Sequence, residues 1–120
     1  MKDFRDLHVW EKAHQLTLEL YAVTARFPKH ELYGLTSQIR RCGVSIGANI
    51  AEGCEKNGNN EFQRFLQIAA GSASELDYEL LLCRDLQYCN ADEYKQLSEE
   101  LSRLRKMLGA LLRKVQMDRS

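Results

Sequence analysis

The chain has 120 residues, 44% hydrophobic and 28% charged, which is enough for one core in a single globular unit spanning 1–120 and too apolar for a disordered segment. Lysine plus arginine and aspartate plus glutamate both number 17, so the net charge is zero. No global field then draws the chain to nucleic acid or an anionic membrane, and any such binding must rest on a local patch.

The first element is read from Trp10, Ala13, Thr17, Leu20, Tyr21, Thr24 and Phe27, which recur three or four apart, the period of one helical face. They predict a helix over about 6–26, stopped by Pro28, the sole proline. Leu35, Ile39, Cys42, Ile46, Ile50 and Gly53 predict a second helix over about 32–55. A Gly/Asn-rich turn follows, then a third helix over about 60–87 with Asn60 as N-cap and Phe62, Phe65, Ala69, Ser72, Leu76, Leu80 and Cys83 along its stripe. Asn90 and Glu93 have capping-box spacing, and Tyr94, Leu97, Leu101, Leu104, Leu108, Leu111 and Val115 predict a fourth helix over about 91–116. No segment alternates with period two. Short turns place successive helices antiparallel, so the expected fold is all-α, an antiparallel up-down-up-down four-helix bundle.

Two helices carry more than one apolar surface. Beside the bulky stripe of helix 2, Gly43, Gly47, Ala51 and Cys54 form a thin flank with Thr36; opposite the stripe of helix 3 lie Ala70, Gly71, Ser74, Tyr78, Leu81 and Leu82. A monomeric bundle needs about one stripe per helix, so these second faces predict a homo-oligomer built through helices 2 and 3. Each helical glycine costs about 1 kcal/mol relative to alanine, which close backbone approach or a bend would explain. A phosphate loop does not fit: Gly43 and Gly47 are too close together for a Walker loop, and Ala48 stands where it needs lysine.

Other chemistry is sparse. Glu11 and His14 form one E-x-x-H, and a di-iron bundle needs two. Helices 2 and 3 show no paired acids at core positions. Cys42, Cys54, Cys83 and Cys89 match no C-x-x-C and read as reduced thiols near the core. Ser45, Ser72 and Ser74 have no histidine at helical spacing, and Asn49 reads as a register-fixing amide. The expectation is a non-enzymatic protein with no catalytic residue, metal or cofactor. No stretch reads as a signal peptide or approaches the roughly 18 apolar residues of a bilayer span, so the expected setting is cytoplasmic, with no membrane partner. Arg103, Arg105, Lys106, Arg113 and Lys114 follow a stretch of acids in helix 4. They complement the helix macrodipole or, with Arg40 and Arg41, make a surface for RNA or DNA.

Three stretches, DLHVWEKAHQL, FPKHELYGLTSQIRRCGVSIGANIAEG and NEFQRFLQIAAGSASELDYELLL, resemble the four-helix-bundle family encoded by intervening sequences inside bacterial 23S rRNA genes, often labelled S23-type ribosomal proteins. The motif from Ser45 to Gly53 and the run from Ala69 to Leu76 carry the resemblance most specifically. It implies ring-shaped homopentamers of four-helix protomers. A related protein, the accessory protein of diversity-generating retroelements, is similar in fold and pentameric form, and uses a basic surface to bind nucleic acid and a reverse transcriptase. The reading is therefore a homopentameric scaffold or adaptor whose partners are its own copies and RNA, DNA or an RNA-handling protein.

Overall fold

The computed structural model describes residues 3–119. Helices α1 (His8–Thr24), α2 (Leu35–Cys54), α3 (Asn59–Asp85) and α4 (Ala91–Arg119) form an antiparallel four-helix bundle. Each packs on its sequence neighbours, and α4 closes back onto α1. The diagonals pair α1 with α3 and α2 with α4. The molecule measures 47 × 23 × 20 Å, its long axis matching the roughly 43 Å that α4 spans at about 1.5 Å per residue.

Local hydrogen bonding moves several helix ends away from where hydrophobic period alone puts them. Asp3 Oδ1 accepts the Arg5 N–H at 3.0 Å and holds Phe4–Asp6 in a 3-10 turn. Leu7 is extended, so α1 begins at His8 rather than near residue 6. Lys29–Glu31 form another 3-10 turn, and Glu31 Oε1 accepts the Leu35 N–H at 3.2 Å. That bond starts α2 at Leu35, later than the stripe suggests. Gly58, at φ 91°, takes the N-cap position expected of Asn60, and α3 starts at Asn59.

The other end of α3 closes in a Schellman motif: Tyr88 N–H donates to the Cys83 carbonyl at 2.9 Å and Gln87 N–H to Arg84 at 3.0 Å. Gln87 occupies the left-handed position at φ 63°, where glycine is the usual residue. At the start of α4 the capping box forms in both directions, Glu93 N–H to Asn90 Oδ1 at 2.8 Å and Asn90 N–H to Glu93 Oε1 at 3.0 Å.

The stripes meet in one core. Leu20, Ile39, Ile46, Ile50, Leu66, Leu76, Leu101, Leu104 and Leu108 are all under 2% exposed. On α3 the core face includes Ala69 and Ala73, both fully buried, which let α2 approach closely. Gly53 does the same from the other side, because a Cβ there would lie 3.0 Å from Phe65 Cβ.

Gln87→Gly should stabilise the fold by about 0.5–1 kcal/mol by removing the left-handed penalty. Gly43→Leu should destabilise it by about 1–3 kcal/mol, since even a Cβ would lie 3.0 Å from Leu20 Cδ1 and 3.1 Å from Thr17 Oγ1. Urea denaturation midpoints moving in opposite directions for the two variants would check both.

Candidate interaction surface

The thin flank of α2 lies against α1 of the same chain. Gly43 is buried beside Leu20 and Thr17, and a Cβ on Gly47 would sit 3.7 Å from Trp10 Nε1. Thr36 and Cys54 are buried, and Ala51 is half-buried. The second face of α3 is more open. Ala70, Leu81 and Leu82 are half-buried, whereas Gly71, Ser74 and Tyr78 are exposed, Tyr78 at 63%. A Cβ on Gly71 would meet nothing within 4 Å.

A second apolar surface, not anticipated from the sequence, lies where α1 meets α2. Tyr21, Leu32, Tyr33 and Val44 are all exposed, and Tyr33 is 93% exposed. With Thr36, Ser37, Arg40 and Arg41 they line a shallow groove of about 470 Å³. Arg40 shapes its floor: its Nε donates to Thr24 Oγ1 at 2.8 Å and its guanidinium lies 4.6 Å over the Tyr21 ring. Val44, an apolar residue beside Arg41 on the polar side of α2, was the signal in the sequence that could have found this groove.

The basic residues are dispersed. Arg40 and Arg41 lie on α2, diagonal to α4, so a single chain does not join them to the α4 cluster. Arg105 turns toward α3 and bonds Asp77 at 3.1 Å and Ser74 at 3.2 Å. Arg103 lies beside Lys12 and Gln15 of α1, and Lys114 beside the α2–α3 turn. Among the described residues, Arg103, Lys106, Arg113 and Lys114 make no ion pair with a carboxylate within 4 Å.

The two motif segments meet across α2 and α3. Ser45 and Ser72 hydroxyls bond at 2.8 Å, and Asn49 Nδ2 donates to the Ser45 carbonyl at 2.8 Å and its hydroxyl oxygen at 3.1 Å. One turn along, the Cys42 thiol donates to Glu75 Oε2 at 3.0 Å. Behind them Glu79 is only 4% exposed, a single acid at a core position of α3 that the apolar stripe did not name. Burial pushes the Glu79 carboxyl up, and the nearby Cys42 thiol opposes the shift. Burial, and then the bond to Glu75, push the Cys42 thiol well above its ordinary range. Elsewhere, His14 stacks on Trp10 with ring centroids 5.0 Å apart, and Glu11 accepts a bond from Gln15. All four cysteines are buried, and none forms a disulfide among the described residues.

Glu19 on α1 faces Glu100 on α4, and its carboxyl is pushed up to about 7, first by burial and then by the hydrogen bond to Glu100. A carboxyl that holds its proton longer in the folded chain stabilises the fold at low pH. That contribution should disappear as pH rises from the ordinary carboxylate range through about 7. Thermal melts between pH 4.5 and 8 should therefore show a decline in stability across this window that Glu19→Gln makes shallower.

The comparisons with known proteins agree with this architecture. The family model described as 23S rRNA-intervening sequence protein matches residues 5–110. No curated protein matches significantly. A solved crystal structure of a protein with unknown function from the S23 ribosomal protein family of Bacteroides thetaiotaomicron is similar in fold, with a TM-score of 0.81 at 24% identity over 88% of this chain and 95% of that chain.

Proposed function

We propose that this chain, which belongs to the 23S rRNA-intervening sequence protein family, is a non-enzymatic helical scaffold or adaptor that works as a ring of its own copies. The observation carrying this reading is the pair of exposed apolar surfaces on different sides of the bundle. One is the α1–α2 groove with Tyr21, Leu32, Tyr33 and Val44; the other is the outer face of α3 with Gly71 and Tyr78. Fully burying a large apolar side chain contributes about 1.5–3 kcal/mol, and zero net charge sets no overall repulsion between copies.

Two unlike patches suit a heterologous contact, in which the α3 face of one copy enters the groove of the next. Such contacts close into rings when the rotation allows. Five copies per ring is the number that the family resemblance implies. Four buried cysteines outside any disulfide among the described residues fit a reducing, cytoplasmic setting.

Light scattering at micromolar concentration should give a mass near five protomers. Val44→Arg and Tyr78→Arg should each dissociate the assembly while helical circular dichroism stays unchanged. A monomeric wild-type chain would overturn the reading, and an intact ring in both variants would exclude these patches as the contact.

A second reading, direct binding of RNA or DNA, is favoured by the side chains of Arg103, Lys106, Arg113 and Lys114, which no carboxylate among the described residues pairs. A ring would repeat this α4 surface and multiply its field. Binding to structured RNA should weaken steeply with salt, and Lys106→Ala with Arg113→Ala should lower its slope. An absence of binding at low ionic strength would remove this reading and leave the scaffold role standing.

A further inference from the structure

We propose that Cys42, Glu75 and Glu79 form a binding site for a divalent transition-metal ion of the zinc class, which ties α2 to α3. The donor atoms of the three side chains lie within 4.8 Å of one another. They come from two helices, with Glu75 and Glu79 one turn apart on the same face of α3. Cys42 Sγ and Glu75 Oε2 are 3.0 Å apart with the thiol proton between them. Donors about 2.0–2.3 Å from a tetrahedral ion stand roughly 3.5 Å apart, so the pair opens by about half an ångström when the ion replaces that proton.

The independent mark of a ligand is Glu79. It is 4% exposed, and its Oε1 has no hydrogen-bond partner. Leaving a carboxylate oxygen buried and unpaired is costly, and such a group in a folded protein calls for a partner. A bound cation supplies one. Among the described residues no hydrogen bond reaches that oxygen, at a core position of α3 where an apolar side chain would otherwise pack.

The site also has a way in. Gln38, Arg41, Cys42, Ser45, Ser72 and Glu75 line an opening of about 160 Å³ on the outer edge of the α2–α3 contact. It opens two of the three donors, Cys42 and Glu75, to solvent and leaves room on that side for a water as a fourth ligand. The charges balance locally. A thiolate and two carboxylates carry three negative charges, matched by two on the ion and one on Arg41, which lines the same opening.

The donor chemistry narrows the ion. A thiolate beside carboxylates disfavours magnesium and calcium, which take oxygen, and the carboxylates disfavour cuprous copper, which takes sulfur. Zinc accepts both donors, and cobalt(II) reports the same geometry by its spectrum. On binding, the Cys42 S–H bond breaks and its proton passes to solvent as the sulfur–metal bond forms; a proton held by Glu79 leaves in the same way. No electron is transferred.

Metal-stripped, reduced full-length protein titrated with cobalt(II) should develop a thiolate-to-metal charge-transfer band that saturates at one ion per chain and is abolished by added zinc. Cys42→Ser should remove the band, and Glu79→Gln and Glu75→Gln should each weaken binding at least tenfold, whereas His14→Ala should leave it unchanged. Zinc should raise the melting temperature of the wild type and not that of Glu79→Gln. Glu79→Gln removes a buried charge and should fold, and the exposed Glu75 provides a second variant if it does not. No charge-transfer band in the wild type, or a band that survives both Cys42→Ser and Glu79→Gln, would overturn the proposal.

Discussion

The close approach of α2 and α3 is the contact on which the rest of the bundle depends. It requires small residues on both sides: Ala69 and Ala73 from α3, and Gly53 from α2 beneath Phe62 and Phe65. With the two backbones this near, Ser45 and Ser72 come within hydrogen-bond reach, and Asn49 locks onto Ser45 from one turn away. A hydrogen bond between helices fixes their relative register more sharply than interchangeable apolar contacts do. The two segments that carry the family resemblance are therefore the two sides of one joint.

Placing α1 follows from that joint. With α3 on one side of α2, the thin flank of Gly43 and Gly47 accommodates α1, whose Thr17 and Leu20 approach Gly43. The cost is that residues suited to close packing are used inside the protomer. What remains outside is of a different kind: aromatic and branched side chains at the α1–α2 junction, and the Gly71–Tyr78 face of α3. The exposed apolar surface of this bundle is thus made by bulky residues over a shallow groove, while Gly43 and Gly47 face α1.

The same joint also collects the unusual polar chemistry. Cys42, Glu75 and Glu79 lie along the α2–α3 contact, in line with the Ser45–Ser72 bond. Polar groups in a tight helix contact are costly unless paired, so their presence argues for specific partners along the whole line. At the α1–α4 contact, a pair of facing carboxyls, Glu19 and Glu100, adds a dependence on pH. Polar bonds cross the other two contacts as well, Arg40 to Thr24 between α1 and α2 and Arg105 to Asp77 between α3 and α4.

Much of this was legible in the sequence, because helix formation is governed by nearby residues. Apolar period named the four helices and much of their core, though on α1 it took the exposed Tyr21 and passed over buried Val9 and Leu16, and on α3 it passed over Leu66 and Ala73. The Asn90–Glu93 spacing named a cap that forms in both directions. Helix ends were less legible where a side chain two to four residues away decided them, as with Asp3 and Glu31. Periodicity also separated each helix into faces, but it could not say which face meets which helix. That is a property of pairs of helices, and only their packing assigned the thin flank to α1, exposed Val44 and Tyr33, and buried Glu79 opposite Cys42. The sequence by itself determined which helices form; the tertiary structure decided which of their surfaces are left for other molecules, because burial depends on what each face is set against.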